Sequence, residues 1–162
     1  MARAIELTQG YVAIVSDKDY SRVCQFNWQI HLNKGKSYAY CAVPRHTTQK
    51  MHRFILGITN PSTKVDHKDG NGLNNQRRNI RVANGTQNQA NALLRKDSTT
   101  KLKGVHRRKD RGDWSAQIRV EGRLKHLGYF RTEQRAADAY DKAARKQHGK
   151  FALTNAMLRG KA

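Results

Sequence analysis

The chain has 162 residues, which suffices for one medium domain or two small ones. It carries 32 Lys and Arg against 12 Asp and Glu, a net charge of +20 that is spread over both halves of the sequence, so a polyanionic partner is expected. The sequence contains no long apolar run and no basic helix with a bulky apolar face, which argues against a membrane partner. Its only two cysteines, Cys24 and Cys41, lie too far apart in the sequence for a disulfide framework or a four-cysteine zinc site.

The N-terminal segment does not resemble a signal peptide, because Glu6, Gln9 and Gly10 interrupt its apolar residues. We therefore expect a cytoplasmic protein. Residues 5 to 56 are predicted to form short strands and turns. Residues 11–15 form a β-branched run and residues 37–43 alternate in polarity, as half-buried strands do, while residues 17–25 favour a short helix.

Residues 65 to 94 are predicted to form a strand, a loop, a second strand and a helix. Asp, Asn and Gly residues mark the turns, and Thr86 followed by Gln89 is a capping-box pattern that places a helix start. Residues 95–102 are rich in Ser, Thr and Lys, as linkers are. We thus predict one domain over residues 1–94 and a second over residues 103–162.

The second domain is predicted to be a three-stranded antiparallel sheet packed on one helix. Residues 114–120 alternate between apolar and polar side chains, a second strand follows through Leu127, and residues 105–109 supply a third. Thr132 is expected to cap a helix over residues 133–148 that ends at Gly149. The expected fold class of the whole chain is α+β.

A set of polar residues in the first domain has the chemistry that phosphodiester hydrolysis requires, namely a base for water and oxygen ligands for a cation. Asp66 and His67 are adjacent, so on a strand a bend or bulge must bring both side chains to one site. Asn79 and Asn88 follow Asp66 after 13 and 22 residues. A strand pair followed by a helix can bring the four residues together, although each of them alone is common in structural turns.

The run VDHKDGNGLNNQRRNIRVANGTQNQANA resembles the HNH homing-endonuclease motif in its Asp-His, Asn, Asn form, which occurs in bacteriophage and intron-encoded nucleases. The resemblance implies a ββα fold that holds one divalent metal ion per active site against the scissile phosphate. It implies that His67 is the general base, that Asn79 orients His67, and that Asp66 and Asn88 bind the metal. A carboxylate with a neutral amide favours magnesium or manganese over zinc.

The resemblance extends back to residues 51–53. His52 and Arg53 therefore have two open roles, a contact to a phosphate group or packing within the domain.

The predicted C-terminal sheet is the candidate for DNA recognition. Residues 103–155 resemble the plant ethylene-response-factor (Apetala) type of DNA-binding domain, through the Gly-Val start, the Trp, Leu-Gly-x-Phe, the Ala-Ala-x-Ala-Tyr-Asp helix and the final Asn. In that family the sheet reads the major groove. The positions that match its contacts are His106, Arg108, Gln117, Arg119 and His126. Arg123 and Lys125 are predicted to add basic charge to the same polar face.

Departures from the plant pattern prevent any transfer of its target sequence. His106, Gln117 and His126 stand where the plant pattern has Arg, Glu and Trp, and Asp110 replaces another Trp. The most favoured function is a metal-dependent HNH endonuclease of the phage or intron-associated homing type, which nicks or breaks duplex DNA. If a phage encodes it, the expected location is the host cytoplasm. Its expected partner is double-stranded DNA, with no membrane and no obligate protein partner. A non-catalytic, sequence-specific DNA-binding regulator and an RNA-binding protein are the alternatives.

Overall fold

The computed structural model describes residues 1–33, 35–42, 48–94 and 98–160. Two compact units make up the chain, Met1–Asn84 and Gly85–Ala162, and both combine small sheets with short helices. The chain is therefore α+β. Residues 98–102 of the predicted linker belong to the second unit, while its residues 95–97 lie outside the described part of the chain.

The described residues of the first unit form short strands and two α-helices, neither longer than seven residues. In chain order they are β1 (Ala2–Glu6), β2 (Val12–Ser16), α1 (Asp17–Val23), β3 (Gln29–Asn33), β4 (Lys36–Cys41), β5 (Gln49–Lys50), α2 (Met51–Leu56), β6 (Lys64–His67), β7 (Asn74–Asn75) and β8 (Ile80–Ala83). One sheet has the order β1-β2-β7, with β7 parallel to β2, and another has the antiparallel order β3-β4-β5. Strands β6 and β8 form a separate antiparallel ribbon.

The predicted strands and helix of the N-terminal region are present as β2, β4 and α1. The end predicted for the β4 strand, Val43, lies outside the described residues. The Ser16 hydroxyl does not cap α1 but accepts a hydrogen bond from the Arg77 amide at 2.9 Å, so it ties the helix start to the segment before β8.

A single apolar cluster forms the core of the first unit. Trp28 lies in it, with an indole N–H that donates to the Val23 carbonyl at 2.8 Å. Phe26 and Phe54 make edge-to-face contacts around this indole, a favourable geometry for aromatic rings. The buried members of the core are Ile5, Leu7, Ala13, Val15, Val23, Trp28, Ala39, Cys41, Met51, Ile55 and Ile80.

The β6–β8 ribbon carries the Asp-His pair. Its register runs from Lys64 opposite Ala83 to His67 opposite Ile80 without a shift, so the bulge expected between Asp66 and His67 is not formed in this fully described ribbon. His67 is instead the last residue of β6, and the chain turns directly after it, where the Gly70 amide donates to the His67 carbonyl at 3.0 Å.

The second unit begins with the short helix that follows the ribbon in sequence. Its elements are α3 (Gly85–Ala90), β9 (Val105–Arg107), β10 (Trp114–Val120), β11 (Arg123–Phe130), α4 (Glu133–His148) and α5 (Asn155–Arg159). The three strands form an antiparallel sheet with β10 in the centre, as predicted, and β11 extends to Phe130. The bounds predicted for α4 are confirmed, and the Thr132 hydroxyl caps it by accepting from the Arg135 amide at 3.3 Å.

Close packing of α4 on the sheet depends on small residues. Ala136, Ala137 and Ala144 are buried on the helix face that meets the strands. Gly104 has a positive φ of 66°, and a Cβ there would lie 2.2 Å from the Gln117 carbonyl oxygen and 2.4 Å from the Tyr140 ring, so only glycine fits. Within the described ranges, no helix has the length and apolar character needed to cross a membrane.

Candidate active site and nucleic-acid interface

His67, the predicted base, lies in a buried aromatic cluster of the first unit. Its side chain is 6% exposed, and the ring centroid of His52 lies 5.0 Å away in an edge-to-face arrangement. Tyr38 of β4 lies 6.1 Å from His67 and 5.9 Å from His52. Burial lowers the pKa of His67, against the opposing effects of Asn75, Asp69 and Asp66, and burial lowers the pKa of His52 to about 3. Both imidazoles are therefore neutral at pH 7.

Asn75 holds the His67 ring, a contact that the sequence analysis missed. Asn75 is completely buried, with its Oδ1 3.4 Å from His67 Nε2, while its Nδ2 donates to the Leu73 carbonyl at 3.1 Å. Because the amide group directs its oxygen at Nε2, this contact favours the tautomer with the proton on Nε2 and the basic lone pair on Nδ1. The position of Asn75 within the HNH-like motif, directly after Asn74, was the sequence feature that could have indicated this contact.

Asp66, the predicted metal ligand, is buried beside a cation. Asp66 is 5% exposed, and its Oδ2 accepts a hydrogen bond from Arg81 Nε at 2.9 Å and forms an ion pair with Arg81 Nη2 at 2.7 Å. The two residues face each other across the β6–β8 ribbon. Arg81 was not predicted, although opposite charges on two paired strands were a signal that could have identified it.

Asn79 braces the loop that leaves His67. Its Nδ2 donates to Asp69 Oδ1 at 2.9 Å and to the Asn74 carbonyl at 2.7 Å, while its Oδ1 accepts from the Asp69 amide at 3.2 Å. Its own carbonyl accepts from the Lys68 amide at 2.9 Å. Asn79 was predicted to orient His67; its contacts are with the segment directly after His67, and the role stays a prediction.

Gly72 allows the same loop to pass against β4. A Cβ at Gly72 would lie 2.2 Å from the Ser37 carbonyl oxygen and 2.7 Å from the Tyr38 ring. No side chain fits there without a shift of the β4 backbone. This close approach brings Tyr38 beside His67, although the two residues are far apart in sequence.

The contacts of His52 and Arg53 favour packing over the alternative of a phosphate contact. His52 is 5% exposed and neutral. The Arg53 guanidinium donates to the Thr63 carbonyl at 2.6 Å and to the Asn60 carbonyl at 2.5 Å. Arg53 therefore fastens α2 to the segment that leads into β6.

Asn88, the other predicted metal ligand, lies on α3 and so belongs to the second unit, where its side chain is exposed. Asp66, His67 and Asn79 belong to the first unit. Among the residues that the structure describes, no group of three or more His, Cys, Asp and Glu side chains is arranged to hold a metal ion.

One face of the β9–β10–β11 sheet carries most of the predicted DNA contacts. Gln117 is paired with His126 across the strands, and its amide nitrogen lies 2.7 Å from His106 Nε2. Arg119, on the same face, is exposed, and its guanidinium donates to the Gly122 carbonyl at 2.9 Å. His106, Gln117, Arg119 and His126 are thus neighbours on one surface, which we call the outer face.

Arg123 and Lys125 do not belong to the outer face, contrary to the prediction. Arg123 is paired with Val120 and Lys125 with Ile118, and cross-strand partners share a side of the sheet. Ile118 is buried in the apolar cluster that includes Tyr140 of α4. The two basic side chains therefore project from the α4 side, where they are exposed.

Arg108 is held on the outer face by a tyrosine that the sequence analysis missed. Its guanidinium lies 4.3 Å from the ring centroid of Tyr129, which is 60% exposed and opposite Ser115. Arg108 also pairs with Asp110 at 3.0 Å and Asp113 at 3.6 Å. The ring of His126 stacks against Tyr129 with 4.5 Å between centroids.

Comparison with known proteins identifies the family of the chain. An uncharacterized HNH endonuclease, L560, of Acanthamoeba polyphaga mimivirus is 30% identical over 152 residues, which cover 91% of this chain and 76% of that protein. The chain belongs to the HNH endonuclease family. Protein 3.8 of Escherichia phage T7 is 33% identical to the present chain over 88 residues, which cover 54% of this chain and 72% of that protein. No family profile and no solved structure matches it.

The similarity to L560 extends over residues of both units. Because the similarity to L560 covers 91% of the chain, it cannot be confined to the first unit of 84 residues. The family assignment supports a nuclease. The resemblance of the second unit to the ethylene-response-factor type stays a prediction.

Proposed function

We propose that the protein is a divalent-metal-dependent endonuclease that hydrolyses phosphodiester bonds in duplex DNA, with His67 as the general base. The observation that carries the proposal is the neutral, buried imidazole of His67, held by Asn75 beside the Asp66 carboxylate, in a member of the HNH endonuclease family. A neutral imidazole can accept a proton from water at pH 7. A homing role, as in phage and intron-encoded relatives of the motif, is part of the proposal.

The roles of the neighbouring residues follow from their contacts. Asn75 fixes the tautomer and orientation of His67, and Asn79 fixes the loop directly after it. Precise placement of a base contributes to catalysis, because a misaligned base loses its reach to the attacking water. Asn75 and Asn79 thus act as positioning residues.

Magnesium or manganese is the proposed metal ion, with the Asp66 carboxylate as one ligand. The Asp66 carboxylate is a hard oxygen ligand, and the adjacent imidazole is uncharged, so a cation meets no positive histidine there. Arg81 orients this carboxylate through its Oδ2. A bound divalent cation supplies neutralisation of the charge that develops on the phosphate. We propose Asn88 as a second ligand on the strength of the motif alone.

The second unit is proposed to anchor the enzyme on duplex DNA. The outer face presents Arg108, Arg119, Gln117, His106 and His126, side chains that can donate to base edges or phosphates. The net charge of +20 favours binding to a polyanion. Arg123 and Lys125, on the other side of the sheet, are assigned to phosphate contacts at most.

The test is cleavage of supercoiled plasmid by the full chain, with magnesium, with manganese and with excess chelator. We expect nicked or linear products only with the metal ions, and loss of activity in His67→Ala with duplex affinity nearly unchanged. The control is His31→Ala, because His31 is an exposed residue of β3. Wild-type cleavage rates in His67→Ala, or undiminished activity in chelator, would contradict the proposal. Tight duplex binding without any cleavage would favour the non-catalytic regulator.

A further inference from the structure

The C-terminal end of α3 is closed by a lysine from a distant part of the second unit. Lys103 Nζ donates to the Ala90 carbonyl at 2.6 Å and to the Ala92 carbonyl at 2.9 Å. The Leu153 amide reaches the same Ala90 carbonyl at 3.4 Å. The last carbonyls of a helix have no partner within the helix, and a cation is favoured there by the helix dipole.

Lys103 is itself held in place by a buried polar relay. Its backbone amide donates to Asn155 Oδ1 at 2.7 Å, and Asn155 Nδ2 donates back to the Lys103 carbonyl at 3.2 Å. Asn155 is 1% exposed. The two carboxylate oxygens of Asp141 accept from the amides of Asn155 at 2.6 Å and Ala156 at 2.9 Å. Contacts thus run from α4 through Asn155 and Lys103 to the end of α3.

The environment of Lys103 is unlike that of a solvated surface lysine. Burial lowers its pKa to about 8, with Asp141 of α4 opposing the shift. The other titratable neighbour is His148, also of α4, whose pKa is lowered by burial and by the charge of Lys103. In either protonation state the amine retains at least two N–H groups for its two carbonyl partners. Its hydrogen bonds to α3 therefore do not depend on the charge alone.

We propose that Lys103 is a positioning residue of the nuclease, which through the Ala90 and Ala92 carbonyls fixes α3 and the Asn88 side chain that α3 carries. The inference rests on the proposed function, in which Asn88 is a metal ligand. Asn88 lies two residues before Ala90, so the direction of its side chain depends on the same turn of helix that Lys103 closes. Lys103 lies in the predicted DNA-binding domain, and the sequence analysis gave it no role in catalysis.

The experiment compares wild type, Lys103→Met and Lys142→Met as full-length chains. Methionine keeps the length of the side chain but removes its donors, and Lys142 is an exposed lysine of α4 that controls for the loss of charge. Without metal, we expect the Asn91 and Ala92 amides, which donate to Gln87 and Gln89, to exchange about tenfold faster in Lys103→Met. Amides of β10 should be unchanged.

The same proteins are then assayed for the magnesium concentration that gives half-maximal plasmid cleavage. We expect this concentration to rise several-fold in Lys103→Met, to be unchanged in Lys142→Met, and to recover in Lys103→Arg, which keeps N–H donors. Should Lys103→Met lose exchange protection throughout β10, Lys103→Gln takes its place, because its amide is polar but too short to reach both carbonyls.

Two results overturn the proposal. One is unchanged exchange at Asn91 and Ala92 in the variant. The other is faster exchange with an unaltered magnesium requirement, because α3 would then be loosened without an effect on Asn88. Failure of the proposed function is visible separately, as a wild-type protein that cleaves no plasmid at any magnesium concentration. In that case, amide hydrogen exchange at Asn91 and Ala92 still shows whether Lys103 holds α3.

Discussion

Acidification should destabilise the first unit through His52, which lies against the His67 ring. Burial lowers the pKa of His52 from 6.5 to about 3. His52 is therefore protonated below pH 6.5 in the unfolded chain but stays neutral in the folded chain until the pH approaches 3. The free energy of unfolding therefore falls as the pH decreases from 6.5 toward 3. With these two pKa values, the linkage relation gives a loss of about 2 kcal/mol between pH 7 and pH 5.

Urea denaturation at pH 7 and pH 5, followed by Trp28 fluorescence in a Trp114→Phe background, measures this loss in the first unit. The His52→Leu variant places an apolar side chain in the site. Its free energy of unfolding should fall by about 2 kcal/mol less than that of wild type between pH 7 and pH 5. In His31→Leu, a substitution at an exposed position on β3, the loss in the free energy of unfolding between pH 7 and pH 5 should equal that of wild type. Titrating groups remote from His52 are present in both wild type and His52→Leu and cancel in the comparison, whereas the neighbouring His67 is coupled to His52 and contributes to the measured difference. Equal losses in wild type and His52→Leu would refute the reasoning.

Three further predictions concern the loop, the base and the outer face. Gly72→Ala forces a methyl group into the β4 backbone, so it should cost about 1 to 3 kcal/mol in urea denaturation and slow plasmid cleavage, whereas Gly160→Ala, with space around it, should do neither. Asn75→Ala should lower the cleavage rate at saturating DNA without weakening duplex binding, and an unchanged rate would remove Asn75 from the mechanism. Arg119→Ala should reduce affinity for a cognate duplex more than for random duplex, by about 1 to 3 kcal/mol of discrimination, whereas Lys142→Ala should affect both alike. Competition binding at fixed salt checks the last of these, and equal losses for Arg119→Ala would make the sheet a purely electrostatic clamp.

The elements that sequence reasoning located best are those with strong local signals. Helix α4 has a threonine cap at one end and a glycine at the other, and its predicted bounds are those observed. The β10 strand was found from its alternation, because period-two burial is a property of the strand itself. Of the bend or bulge expected at Asp66 and His67, the bulge is not formed because the ribbon stays regular, and the chain turns directly after His67.

The parts of the site that were missed depend on contacts between distant segments. Tyr38 reaches His67 because Gly72 lets the loop touch β4, and Asn75 is buried because its short strand pairs in parallel with β2. Neither pairing has a signal within a short window of sequence. The grouping of α3 with the second unit is of the same kind, since Lys103 and Leu153 hold it from far along the chain. The outer face was misjudged at Arg123 and Lys125 because register, not charge, decides which side a strand residue takes.

Arg108, a proposed DNA contact, is already paired with carboxylates of its own chain at the protein surface. Its guanidinium lies on Tyr129 and is paired with Asp110 and Asp113, so a phosphate or a base edge must compete with two carboxylates of the same chain. An arginine that leaves a carboxylate to bind a phosphate causes a smaller net release of counterions than an unpaired arginine does. Arg108 should therefore add little to the salt dependence of binding. If Arg108 contacts a base edge as proposed, its contribution would lie in geometry, because an arginine fixed in direction before contact loses little conformational entropy on binding.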